Sequence, residues 1–92
     1  MNRPHILVVD DDPHARDLLR RLLGQMGRIS EAPDVPTAEK ALTSSEPVDL
    51  VMTDMAMPDP DDGLKVLRSA REHWPDSPVI KIGQCKLTGR AR

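Results

Sequence analysis

Carboxylates end two apolar segments of this chain, and their spacing suggests chemistry more directly than any other feature. Residues 6–9 form an apolar run that Asp10, Asp11 and Asp12 follow at once, and a second apolar run ends at Asp54. A carboxylate is costly to place beside a buried core unless it is paired or binds a metal, so acidic residues at two strand tips indicate a site. Oxygen-only ligands suit Mg²⁺, and an aspartate can accept a phosphoryl group to form an acyl phosphate.

Some acidic residues in these segments have a simpler structural explanation. Asp12 stands directly before a proline, and this pair is typical of a helix start, so we interpret Asp12 as a helix cap. Asp49 alternates with the buried positions of its segment and is expected to be exposed or capping. Asp10, Asp11 and Asp54 have no comparable explanation and form the candidate site.

The elements that would position these carboxylates alternate between strands and helices. Apolar segments at residues 6–9, 48–53 and 79–82 predict three strands, and the short, ambiguous segment at residues 28–32 predicts a fourth, weak edge strand. Three segments with helical spacing lie between them. This alternation predicts a parallel sheet covered by helices on both faces, with ligands bound beyond the carboxyl ends of its strands.

The helix boundaries are predicted from caps, prolines and glycines. We expect the first helix to begin after Asp12 and stop at Gly27, the second to be capped by Asp34, and the third to open at Gly63 and close at Pro75. The apolar stripe of the first helix comprises Ala15, Leu18, Leu19, Leu22, Leu23 and Met26. The inward residues of the third helix are predicted to be Leu64, Leu67, Ala70 and Trp74.

Length and composition exclude several classes of protein. Ninety-two residues allow one domain, and a net charge of −2 provides no basic field for nucleic acid. The apolar runs are too short to span a bilayer. A single cysteine, Cys85, fits a reducing compartment, so we expect a cytoplasmic protein. The three histidines, His5, His14 and His73, are scattered and are expected to be solvated.

Two motifs resemble a known family. The segment ILVVDDD at residues 6–12, and VDLVMTDMAMPD at residues 48–59 with a Gly-Leu pair soon after, closely resemble the receiver domain of bacterial two-component response regulators. The resemblance covers residues 4 to about 82. It implies a flavodoxin-like α/β fold, a doubly wound parallel sheet that is incomplete here, with about four strands and three helices.

The resemblance also implies a role for each matching residue. Asp54 matches the phosphoacceptor, which takes a phosphoryl group from a sensor histidine kinase. Asp10 and Asp11 match the acidic pair that holds Mg²⁺ together with Asp54, and the backbone carbonyl of Ala56 matches the main-chain metal ligand. Met57 and the proline after it match the turn behind the phosphoacceptor. Such a chain is a phosphoacceptor protein rather than an enzyme, with weak autophosphatase activity at most.

The chain departs from the family at its carboxyl end. No Ser or Thr follows the fourth strand, where Gly83 and Gln84 stand instead, and no lysine matches the one that ends the fifth strand. We therefore interpret residues 1–82 as a truncated receiver-like domain and residues 83–92 as an irregular basic tail. Switching is expected to be impaired. The fourth strand and part of the first helix's stripe are expected to be uncovered, so a homodimer could form through the sheet edge or the helix face.

Two other functions stay open at this stage. The chain could be a receiver-like interaction or dimerisation module without phosphoryl chemistry. Asp10 and Asp12 also fit the Asp-x-Asp motif of haloacid-dehalogenase-like phosphatases, as nucleophile and acid, although Pro13 and His14 do not fit that family. No output domain is recognised, so we expect no nucleic-acid binding by this chain alone and no membrane contact.

Overall fold

A computed structural model describes residues 3–54 and 60–82 of the chain. Strands and helices alternate as the sequence predicts, which confirms the α/β class. In chain order they are β1 His5–Val9, α1 Pro13–Leu23, β2 Arg28–Ala32, α2 Val35–Thr43, β3 Leu50–Asp54, α3 Pro60–His73 and β4 Val79–Ile82. The four strands form one parallel sheet in the order β2-β1-β3-β4.

The strand order decides on which side of the sheet each helix lies. The chain steps outward from β1 to β2, then returns past β1 to β3 and continues to β4. Because parallel crossovers are right-handed, this reversal places α1 on one face and both α2 and α3 on the other. The reversal lies between β1 and β3, and ligands of such parallel sheets typically bind beyond the carboxyl ends of the strands at this point.

The hydrophobic core lies between the sheet and the pair of helices α2 and α3. Every second residue of β1 points into it, and the remaining residues of β1 are buried under α1. The core residues are Leu7, Val9, Ala32, Val35, Ala38, Leu42, Val48, Val51, Val66 and Ala70. At its rim, the indole N–H of Trp74 donates to the Leu42 carbonyl at 2.8 Å, which ties the end of α3 to α2.

The opposite face is only partly covered, as the sequence predicts. Three apolar residues of α1 and the turn after it are more than half exposed: Leu18 by 57%, Leu22 by 62% and Met26 by 63%. The prediction that part of this stripe stays uncovered is confirmed. Among the described strands, β4 forms one edge of the sheet, and its Ile80 is 45% exposed.

The third helix starts earlier and faces the core differently than predicted. It begins at Pro60 rather than Gly63, because proline is tolerated in a first turn and the acidic residues after it favour a helix amino end. Its buried side chains include Val66 and Ala70, whereas Leu64 is 41% exposed, so the prediction that Leu64 points inward is wrong. On α3, Val66 is buried one residue before the predicted Leu67, so the buried face of the helix is rotated relative to the prediction.

The first helix ends at Leu23 rather than at Gly27, where the sequence predicted its stop. Its final cap is Gly24, whose N–H donates to the Arg20 carbonyl at 2.8 Å. Gly27 has another role. A Cβ at this position would lie 2.2 Å from the Pro4 carbonyl oxygen, so glycine allows the chain entering β2 to approach the residue before β1.

One of the three histidines contradicts the prediction that they are solvated. His5 is only 4% exposed. Its Nδ1 lies 2.8 Å from the Pro47 carbonyl oxygen, and its Nε2 lies 2.6 Å from the Ser30 hydroxyl. The imidazole therefore joins β1 to β2 and to the segment that leads into β3. His14 and His73 are exposed, as predicted.

The second helix provides a pH-dependent prediction through its cap. Hydrogen bonds from Thr37, from its hydroxyl and its backbone N–H, lower the pKa of Asp34 below its ordinary value of 3.8. The folded state therefore favours the ionised cap, and this contribution is present above the unfolded-state pKa and lost as pH falls through the folded-state pKa. We expect wild type to be slightly more stable than Asp34→Asn at neutral pH, and the gap to close in acid. Urea unfolding followed by circular dichroism at several pH values measures it, and a gap that does not change with pH would refute this explanation.

Within residues 3–54 and 60–82, no helix is both long and apolar enough to cross a membrane. The predicted tail at residues 83–92 lies outside the described residues, so the proposed domain boundary stays a prediction.

Candidate functional site

Two neighbouring strands bring acidic residues to the carboxyl edge of the sheet. β1 pairs with β3 so that Val9 lies beside Thr53, which places Asp10 and Asp54 at the same level. Both are almost fully buried, each with an exposed fraction of 3%. The backbone N–H of Asp10 donates to the Ala32 carbonyl at 3.1 Å, which extends the pairing with β2 by one residue and holds Asp10 at the strand end.

The turn from β1 into α1 brings the third carboxylate. Asp12 has an extended backbone and caps α1 by accepting from the His14 N–H at 2.9 Å, so its prediction as a cap is confirmed. The Asp12 N–H in turn donates to Oδ1 of Asp10 at 2.9 Å. Asp11, between them in the chain, is exposed.

The structure brings together the three residues that the sequence singled out. One carboxylate oxygen from each of Asp10, Asp11 and Asp54 can be chosen so that all three lie within 4.8 Å of one another. Three carboxylates this close repel unless a cation or protons compensate them. The set contains oxygen donors only, two of them buried and one open to solvent, and this combination fits a hard divalent ion such as Mg²⁺ that keeps some of its water. The residues predicted to complete the site, Ala56 and Met57, lie outside the described residues.

Two features of the site were missed in the sequence. Arg16, interpreted only as part of the polar side of α1, donates from Nη1 to the Asp10 carbonyl at 2.7 Å. The signal available was an arginine four residues after a helix cap, with a glutamate on the next strand. Thr53 is fully buried beside Asp54 in the chain, and among the described residues its hydroxyl has no hydrogen-bond partner.

With this geometry established, the comparisons with known proteins identify the family. A model of the response regulator receiver domain matches residues 6–87. The chain belongs to this family, the receiver domains of two-component response regulators. Among curated relatives, the response regulator protein PilR of Pseudomonas aeruginosa is 35% identical over 82 residues, which are 89% of this chain and 18% of that protein. This receiver chain thus spans less than a fifth of the length of PilR.

Solved receiver structures share the fold. A response regulator receiver protein from Sinorhizobium medicae matches with a TM-score of 0.78 over 98% of this chain and 76% of that one, at 24% identity. The BeF3-activated receiver domain of DrrB, a Thermotoga maritima protein, matches with a TM-score of 0.70 and 29% identity over 86% of this chain and 64% of that one. These matches confirm the flavodoxin-like receiver fold that the resemblance implied.

Proposed function

We propose that this chain accepts a phosphoryl group on Asp54 from a sensor histidine kinase in the cytoplasm, with Mg²⁺ bound at the same site. Asp10, Asp11 and Asp54 would hold the ion with their side chains, and the backbone carbonyl of Ala56 would be a further ligand. The observation that carries the proposal is the convergence of the three carboxylates within 4.8 Å at the carboxyl edge of neighbouring strands. Membership of the receiver family supports it, because receivers are phosphoacceptors.

The reaction needs positioning and charge compensation rather than an elaborate catalytic apparatus. One carboxylate oxygen of Asp54 forms a bond to phosphorus as the P–N bond of a phosphohistidine donor breaks, and the bonding electron pair stays on the imidazole nitrogen. When bound, Mg²⁺ neutralises charge on the phosphoryl oxygens. The chain's own contribution is an almost fully buried nucleophile at the end of β3, held in register with Asp10, and the exposed carboxylate of Asp11 beside it.

Switching after phosphorylation is proposed to be impaired. β4 ends at Ile82, and the next residues in the sequence, Gly83 and Gln84, carry no hydroxyl that could follow the phosphoryl group. A receiver that takes up phosphate without this contact would hold the modification with little conformational response. The phosphatase alternative has no support from the site, because the Asp12 carboxylate caps α1.

A second candidate function is self-association, favoured by the uncovered face of α1 and the edge strand β4. Among the described strands β4 is an edge, and an edge strand in one copy can pair with the same edge of a second copy about a twofold axis. The exposed residues of α1 offer a second surface for self-association. We expect the wild type to sediment as a dimer at micromolar concentration and Ile80→Lys or Leu22→Lys to sediment as a monomer. A monomeric wild type in analytical ultracentrifugation would reject this candidate.

Metal dependence tests the main proposal. We expect acetyl phosphate to label the wild-type chain in Mg²⁺ and to fail when the metal is chelated with EDTA. In Asp11→Asn, labelling should fall at low Mg²⁺ and recover in part at high Mg²⁺, because one exposed ligand is lost while the nucleophile remains. The label should survive mild acid and be lost in base, as an acyl phosphate is. Labelling that persists in EDTA, or a label that mild acid removes, would contradict the proposal.

A further inference from the structure

The helix that follows Asp11, α1, is held to the sheet by partly buried side chains only. The structure describes every residue of α1, and none of them is buried. Leu18 and Leu22 are more than half exposed. Half-buried residues such as Leu19 supply the remaining apolar contact with the sheet. The position of the turn between β1 and α1 therefore depends strongly on polar contacts.

A side-chain network connects this helix to two strands. Nη1 of Arg16 donates to the Asp10 carbonyl at 2.7 Å, and Nε of the same side chain donates to Oε1 of Glu31 at 3.3 Å. Arg20 contacts the other carboxylate oxygen of Glu31 at 3.2 Å. Glu31 lies on β2 beside Val8 of β1, so the Arg16 guanidinium spans from one strand to the end of the next. Its side chain is only 17% exposed.

The Arg16 contact completes the fixation of Asp10. The N–H of Asp10 donates to β2, its Oδ1 accepts from the Asp12 N–H, and its carbonyl oxygen accepts from Arg16. The first two contacts come from the strand and the turn. The third contact, from Arg16 to the Asp10 carbonyl oxygen, is made by a residue of α1. It therefore connects Asp10 to that helix.

We propose that Arg16, held by Glu31, is a positioning residue for the metal pocket. This inference rests on the proposed function. Through its contact with the Asp10 carbonyl oxygen, Arg16 would act by fixing the backbone of Asp10 and the angle at which α1 leaves the sheet. Groups that orient a ligand from outside the coordination shell typically change metal affinity by about 10- to 100-fold when removed.

The direction in which Mg²⁺ affinity changes when Arg16 is replaced distinguishes a positioning role from a purely electrostatic effect. A guanidinium near a cation site repels the cation, so loss of its charge alone would tighten Mg²⁺ binding. Glu31, 3.3 Å from Arg16 and shared with Arg20, offsets part of that charge, and we expect the loss of geometry to dominate. We expect weaker binding in Arg16→Ala, by roughly 10-fold, at the low end of the range for outer-shell partners. Arg16→Lys keeps the charge but loses the fork that reaches both partners, so its loss should be intermediate.

Isothermal titration of the full chain with MgCl₂ measures these affinities, and amide chemical shifts of residues 10–12 report the local geometry. Arg21→Ala is the matched control, because Arg21 is an exposed residue of the same helix that pairs with Asp17. The effects of Arg16→Ala and Glu31→Ala on Mg²⁺ affinity should not be additive, since each substitution breaks the same connection.

If the wild type binds no Mg²⁺, the proposed function and this inference both fail. If the wild type binds and both Arg16 variants match Arg21→Ala or bind more tightly, the positioning role alone is overturned.

Discussion

Asp54→Asn is expected to abolish labelling by acetyl phosphate while leaving the chain folded. The nucleophile in the proposed reaction is a carboxylate oxygen of Asp54, and the side-chain amide of asparagine cannot form a stable acyl phosphate. The two side chains have nearly the same shape, so the strand end and the fold should be retained. Labelling should fall to the level of a reaction without protein, as measured by radioactive phosphate retained after gel electrophoresis.

Asp49→Asn is the matched control for this loss. Asp49 lies immediately before β3, at the opposite end from Asp54, and its Oδ2 accepts from the His5 N–H at 2.8 Å. An asparagine oxygen can accept the same hydrogen bond, so this variant makes the identical chemical change away from the site. It should label as the wild type does. Equal labelling of wild type and Asp54→Asn would remove Asp54 as the acceptor.

Leu7→Ala should have the largest effect on stability. Leu7 is fully buried at the centre of the sheet, between Ser30 of β2 and Val51 of β3. Truncating a buried leucine to alanine costs about 2–5 kcal/mol, because apolar contact is lost and a cavity remains. Small domains are stable by only about 5–15 kcal/mol, and because one face of this sheet is only partly covered we expect the chain to lie toward the lower end. Urea unfolding followed by circular dichroism should show a large fall in the midpoint, or a chain already unfolded in buffer.

The same substitution at an exposed position of α1 isolates the effect of burial. Leu22 is 62% exposed, and leucine and alanine are both good helix formers, so Leu22→Ala should change the free energy of unfolding by no more than about 0.5 kcal/mol. The comparison is made at low protein concentration, where self-association does not stabilise the folded chain. A similar loss in both variants would mean that the core does not lie where the structure places it.

Local signals explain why much of the architecture could be predicted from sequence. The continuous apolar run at residues 6–9 is typical of a strand buried on both faces, and it became β1 with the addition of His5. The Asp12 cap and the proline after it mark the start of α1 by a mechanism that acts within a few residues. The placement of Asp10 and Asp54 together followed from the rule that parallel strands end at the same edge.

The errors arose where distant parts of the chain decide the outcome. His5 was predicted to be solvated. Its ring partners Ser30 and Pro47 are 25 and 42 residues away in the chain, and no pattern near His5 in the sequence indicates these contacts. The Arg16 contact with Glu31 spans 15 residues for the same reason. The start of α3 was misplaced because prolines and aspartates before Gly63 suit a turn as well as a first helical turn.

The most direct test of the central proposal is to locate the phosphoryl group in the chain. After reaction with acetyl phosphate and Mg²⁺, borohydride reduces an aspartyl phosphate to homoserine, and peptide mass spectrometry identifies the altered residue. We predict conversion at Asp54, dependent on Mg²⁺, with Asp10 and Asp11 unchanged. Conversion at another aspartate, or a wild-type chain that takes up no phosphoryl group from acetyl phosphate in Mg²⁺, would contradict the proposal that Asp54 is the phosphoacceptor of this receiver domain.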